Sequence, residues 1–169
     1  MWKMLRALIL AVLVIGIWYL GVRGGIIQVN ANEKIKVVDG DSLEIGSRRL
    51  RLLGIDSPEY VQNCYDKNHK KYSCGIKAKQ YMEKLVAKGN IECREMSKDR
   101  YNRSLSVCYS GSENLNEAMV RAGWAVAYRD EEGIYERAEY EAKEHKRGVW
   151  QGKFMRPELF RVKNRRQDS

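Results

Sequence analysis

Cys93 and Cys108 each fall in a short strand-like run, Asn90–Met96 and Leu105–Tyr109, and the two runs are close enough in sequence to be hairpin neighbours. Facing strands bring their side chains within bonding range, so a Cys93–Cys108 disulfide would fix two strands side by side. Cys64 and Cys74 bracket a polar loop, Tyr65–Ser73, that carries four basic residues. Four cysteines allow three pairings. The spacing favours Cys64–Cys74 together with Cys93–Cys108. Closing a loop of that size stabilises a fold by about 3 kcal/mol in the chain-entropy view. A zinc site is the rival reading, but the chain has no Cys-x-x-Cys and its two histidines, His69 and His145, are far apart.

An even cysteine count matters more behind an export signal. Residues Ala7–Val22 form an uncharged apolar run preceded by Lys3 and Arg6. A positive flank ahead of an apolar stretch predicts that the N-terminus stays cytoplasmic and the remainder crosses the membrane. The run is slightly short for a full span, which needs about 17–25 residues. Val29-Asn30-Ala31 has the small-residue character of a cleavage site, while Trp18 and Tyr19 stand where interfacial aromatics would. A cleaved signal peptide and an uncleaved signal anchor both remain open. Either places the domain in the periplasm or outside the cell, secreted or membrane-anchored.

With residues 1–31 set aside as signal or anchor, 138 residues remain and carry a net charge of +6. That is enough for one domain with its own core. A basic excess fits a polyanionic partner, nucleic acid or an anionic membrane, although basic charge alone also suits an ordinary soluble domain. Strands are expected at Lys34–Val38, Ser42–Ile45 and Arg48–Ile55, the last two joined by a turn at Gly46-Ser47. Ile76–Lys88 reads as a one-faced helix, Asn114–Ala122 as a short helix, Trp124–Tyr128 as an extended run and Gly133–Lys146 as a charged helix. The predicted fold class is mainly β with helices (α+β): a five-stranded OB-fold barrel with about three helices, after a separate N-terminal apolar helix. The domain is expected over 32–153, with a basic C-terminal tail over 154–169.

Three clusters carry the chemistry: Asp39-Gly40-Asp41-Ser42, then Arg51 through Glu59, then Asp99 through Arg103. Arg51 and Asp56 lie five residues apart on what reads as one strand, and Asp56 and Glu59 flank the turn begun by Pro58. Converging acids would offer hard oxygen ligands to a divalent cation, and arginine forks match phosphate oxygens. Singly, each cluster is also an ordinary turn or surface ion pair.

Together and in this order the clusters resemble the staphylococcal nuclease (thermonuclease, TNase-like) family. Two further stretches, Asn116–Ala125 and Ala138–Trp150 with its closing Gly-x-Trp, extend the resemblance over roughly 35–150. The resemblance implies a hydrolase, a calcium-dependent endonuclease acting on DNA and RNA. It would prefer single strands, show little sequence choice, attack at the 5′-oxygen side and leave 3′-phosphates. It implies Ca²⁺ on Asp41, Asp56 and the main-chain carbonyl of Ser57, with Asp39 supporting the ion from behind. Glu59 would serve the attacking water, and Arg51 and Arg103 would clamp the phosphate. Arg100, Tyr101 and Tyr128 would touch substrate; Tyr128 could equally be a packed edge tyrosine. Ser57 and Ser42 stand where threonine is commoner, and Asn102 replaces a frequent glycine, a change Asn tolerates because it accepts positive φ. A membrane is the other partner if the leader is retained. No protein partner is indicated, and a monomer is expected.

Overall fold

The computed structural model describes residues 26–28 and 33–166. In chain order the strands are β1 (Ile26–Gln28), β2 (Ile35–Val37), β3 (Ser42–Ile45), β4 (Arg48–Leu52), β5 (Ile55–Asp56), β6 (Cys64–Tyr65), β7 (Lys71–Tyr72), β8 (Ile91–Lys98), β9 (Ser104–Ser110), β10 (Glu113–Asn114) and β11 (Val126–Ala127). The helices are α1 (Cys74–Val86), α2 (Leu115–Arg121), α3 (Glu136–Glu144) and α4 (Pro157–Arg165), with a 3₁₀ turn at Gly148–Gln151. The apolar helix expected over 7–22 lies outside the described residues.

The α+β class is as expected, but the sheet differs from a five-stranded barrel. Its strands run β1-β8-β9-β4-β3-β2, with β10 added to β9, and among the described residues β1 and β2 do not close on each other. Two sequence features account for this. Ile26–Gln28, within the stretch read as leader, pairs with Glu92–Arg94 of β8 and buries Ile27. Ile55–Asp56 leaves the large sheet altogether and pairs with β11 instead.

The second departure explains the site. A continuous strand from Arg48 to Ile55 would separate Arg51 from Asp56 by about 17 Å at ~3.3 Å per residue, and an odd spacing would put them on opposite faces. The chain instead turns at Leu53-Gly54, with Gly54 at φ 78°. A β-carbon there would also lie 2.6 Å from the Tyr135 ring, so glycine is required on two counts. The buried Asn116 holds the turn in place. Its amide donates to the carbonyls of Leu53 (2.9 Å) and Ser106 (3.2 Å), while its oxygen accepts from the Cys108 amide (3.1 Å).

The core lies between the sheet and α1, α2 and α3. Leu43, Ile45, Leu50 and Leu52 from β3 and β4 meet Met82 and Leu85 of α1 and Leu115 and Met119 of α2. Alternation along β9 buries every second residue from Ser104 to Ser110, as a half-buried strand should. Cys93 and Cys108 face each other in the β8–β9 register and are bonded, inside this core. Cys64–Cys74 closes a smaller apolar cluster with Val149. The polar loop Tyr65–Ser73 contributes Asp66, Lys67 and His69 to a cavity of about 640 Å³ that Trp150 also lines.

The region read as a basic tail forms α4. Its signals are ordinary ones: Pro157 in the first turn, Glu158 beside it, and Lys163 and Arg165 in the last turn. Pro157, Phe160, Arg161 and Asn164 share the face turned to the body, whereas Leu159 and Val162 are exposed.

Candidate active site

Asp41 and Arg51 are neighbours because β3 and β4 are antiparallel, with Ser42 opposite Arg51 and the Leu52 amide donating to the Asp41 carbonyl at 2.8 Å. Asp56 reaches them from the other side of the Gly54 turn, held by its pairing with Val126. Arg51 then bridges the two acids. Its Nη1 donates to Asp41 Oδ1 at 2.8 Å and its Nη2 to Asp56 Oδ1 at 2.7 Å. Both carboxylates are buried, and the Arg51 side chain is 17% exposed, open enough to meet a ligand.

Three further contacts fix Asp41. Its Oδ1 also accepts from the Ser42 hydroxyl (2.9 Å), its Oδ2 accepts from the Ser57 amide (2.9 Å), and its own amide donates to Asp39 Oδ1 (3.0 Å). Ser57 in turn donates its hydroxyl to the Trp124 carbonyl at 3.0 Å. Gly40 makes this closeness possible, since a β-carbon there would fall 2.0 Å from Ser57 Oγ. Asp39, Asp41, Asp56 and Ser57 thus share one pocket.

Glu59 joins through a residue that sequence reasoning missed. Arg161 of α4 donates from Nη1 to Asp56 Oδ1 (2.9 Å) and Glu59 Oε1 (2.7 Å), and from Nη2 to Asp56 Oδ2 (2.9 Å). Gln62, fully buried, ties the same two segments: its amide nitrogen donates to the Met155 carbonyl at 2.7 Å and its oxygen accepts from the Glu59 amide at 3.3 Å. The amphipathic spacing of α4 was the available signal for Arg161; nothing local pointed to the carboxylates more than 100 residues earlier in the chain.

A chain of hydrogen bonds links Asp39, Asp41, Asp56 and Glu59 through the Asp41 amide and the guanidinium groups of Arg51 and Arg161. Burial pushes the Asp41 carboxyl up to about 7, against the pull of Arg51 and with the push of Asp39. Burial works to lower both Arg51 and Arg161, but the adjoining carboxylates more than reverse this and hold both above the ordinary arginine value. No group of three or more His, Cys, Asp or Glu side chains is gathered closely enough among the described residues to hold a metal. Of the donors a hard cation takes, the cluster offers two buried carboxylates, Asp41 and Asp56, both hydrogen-bonded to arginine.

Arg103 stands apart from this cluster. It precedes β9 on the strand next to β4, and its guanidinium pairs with Asp99 at 2.7 Å. Asp99 organises the β8–β9 turn, accepting from the amides of Tyr101 (2.8 Å) and Arg103 (3.0 Å), and Asn102 in that turn takes φ 59°. Burial opposes ionisation of Asp99, but the Arg103 contacts win and hold its carboxyl below the usual range. Tyr101 is exposed, with the guanidinium groups of Arg100 and Arg103 over its ring at 4.8 and 5.6 Å. Tyr128 is half-buried, donates its amide to the Gly54 carbonyl at 2.9 Å and carries Arg129 over its ring at 5.2 Å.

Residues 49–152 match the sequence pattern of the family described as "Staphylococcal nuclease homologue". Among similar proteins, the succinoglycan biosynthesis protein ExoI of Rhizobium meliloti (strain 1021) is 32% identical over 68% of this chain and 61% of its own length. An uncharacterized endonuclease of Escherichia coli is 33% identical over 69% of this chain and 74% of its own. A micrococcal nuclease of Shigella flexneri is 29% identical over 70% and 72% respectively. The chain thus spans just over three-fifths of the length of the first of these relatives.

Proposed function

Because the chain belongs to the staphylococcal nuclease family, we propose that the pocket around Arg51 hydrolyses phosphodiester bonds of DNA and RNA with calcium as cofactor. The observation that carries this reading is the Arg51 fork. One guanidinium joins the two buried acids and is itself 17% exposed, while Arg161 ties Asp56 to Glu59. A structural ion pair has no need of the further acids gathered around it.

Asp41, Asp56 and the Ser57 carbonyl would hold the ion, with Asp39 orienting the Asp41 loop from behind. Calcium, when bound, supplies Lewis-acid polarisation of a phosphoryl oxygen. The chain's own residues do the rest. Glu59 orients the attacking water in line with the leaving 5′-oxygen and accepts its proton. Arg51 donates to the phosphoryl oxygens as their charge grows. Arg103, released from Asp99 on an open turn, supplies charge to the leaving oxygen. Tyr101 and Arg100 form an exposed ring-and-cation rim on which a single strand can lie, with Tyr128 further in; stacking of this kind is indifferent to sequence.

Digestion of single-stranded DNA and RNA in millimolar calcium, followed by end-group mapping, tests the reading. It predicts 3′-phosphate ends with little base preference. Nucleic acid that is bound but left intact would instead favour a binding module on the same fold.

Both disulfides and the apolar leader support an exported domain, and no free cysteine is present among the described residues. β1 further supports retention of the chain through at least Ile26, because cleavage after Ala31 would remove a strand that buries Ile27. We propose a membrane-anchored form. Mass determination of the native protein checks this: a mature chain beginning at Asn32 would contradict it.

A further inference from the structure

The Arg161 fork occupies both oxygens of Asp56. Oδ1 already accepts from Arg51 and takes a second bond from Arg161 Nη1, and Oδ2 is taken by Arg161 Nη2 at 2.9 Å. The same Nη1 holds Glu59 Oε1 at 2.7 Å. A divalent ion needs an Asp56 oxygen at about 2.3–2.6 Å, closer than any hydrogen-bonded nitrogen comes. The ion and the Arg161 fork therefore contend for the same carboxylate.

The rest of α4 lies shallow on the body. Pro157 is its one buried residue, and Leu159 and Val162 point away from the body. Its lead-in is pinned by Gln62 to the Met155 carbonyl and by Arg156 near Glu139 and the Ala127 carbonyl. Beyond that anchor, Arg161 makes three hydrogen bonds to Asp56 and Glu59, and its side chain is 30% exposed and so lies near solvent. A helix fixed at its start and held further along by one charged fork can release that fork without loss of the core.

We propose that Arg161 is the resident cation of the substrate-free site: it neutralises Asp56 and positions Glu59 until a divalent ion displaces it, and α4 then loosens from the body. The inference rests on the calcium reading given above. It makes Arg161 a positioning residue that sets the affinity for the ion, rather than a group acting on the phosphate.

The test is calorimetric titration of calcium into the wild-type protein, Arg161→Ala, Arg161→Lys and a control, Lys163→Ala, each first shown to be folded by its melting transition. Removing the competitor should tighten calcium binding by about tenfold or more, the scale of losing one charge-assisted hydrogen bond as an opposing contact. Arg161→Lys, which keeps the charge but not the fork, should fall between Arg161→Ala and wild type, and Lys163→Ala should match wild type. A merely structural arginine would give the opposite sign, because a damaged site binds the ion more weakly. Amide exchange over 157–165 should quicken when calcium is added to wild type. Equal or weaker binding by Arg161→Ala would overturn the inference while leaving the calcium reading intact. Absence of binding in all four proteins would overturn both.

Discussion

Arg51→Lys should lower the turnover of single-stranded DNA by about 10³-fold or more at saturating calcium. Lysine keeps the charge but not the fork. It can satisfy Asp41 or Asp56 but not bridge both as Nη1 and Nη2 do, and it offers the phosphate no planar pair of donors. Loss of one well-placed donor to a developing oxyanion alone accounts for about 10²–10³. Single-turnover rates check this, and melting curves separate it from unfolding, since the two acids are buried and depend on their counter-ion. A loss below tenfold in a folded variant would remove Arg51 from the reaction and leave it a structural bridge.

Glu59→Gln is the second large effect. The amide keeps the shape and can still accept a bond from Arg161, but it cannot take a proton from water. Turnover should fall by about 10²–10⁴-fold, the usual range for a positioned base, with calcium binding retained because Asp41 and Asp56 are untouched. Unchanged turnover would transfer the water-orienting role elsewhere in the pocket.

Much of this arrangement was legible in the residue order. The cysteines could be paired because Cys93 and Cys108 lie in two runs short enough and near enough to form a hairpin. The Gly46-Ser47 turn followed from local turn chemistry, and the positive φ of Asn102 from the glycine that the family resemblance puts at that position. The path of Arg48–Asp56 was harder to read. Its residues have the composition of one strand, and only the packing of Gly54 against Tyr135 and the hydrogen bond from Asn116 to Leu53 reveal a corner. That corner, rather than strand alternation, brings Arg51 to Asp56.

Arg161 was illegible for a different reason. Local propensity could have placed a helix at Pro157, but which body α4 meets depends on the Gln62–Met155 and Arg156 contacts. Those are tertiary: Gln62 and Met155 lie 93 positions apart, and Arg156 and Ala127 lie 29 apart. Arg103 shows the converse: its place on the β8–β9 turn was readable, whereas its choice of Asp99 over the Asp41–Asp56 pocket is a matter of side-chain geometry alone.

The central claim is that Asp41, Arg51, Asp56 and Glu59 form one phosphodiesterase site that works only with a divalent ion. Initial rates on a labelled single-stranded oligonucleotide, with calcium titrated into metal-stripped protein, test it most directly. The account predicts no cleavage in chelator and a saturable rise in rate as calcium is added. A rate indifferent to calcium, or an intact oligonucleotide at every calcium concentration, would contradict it.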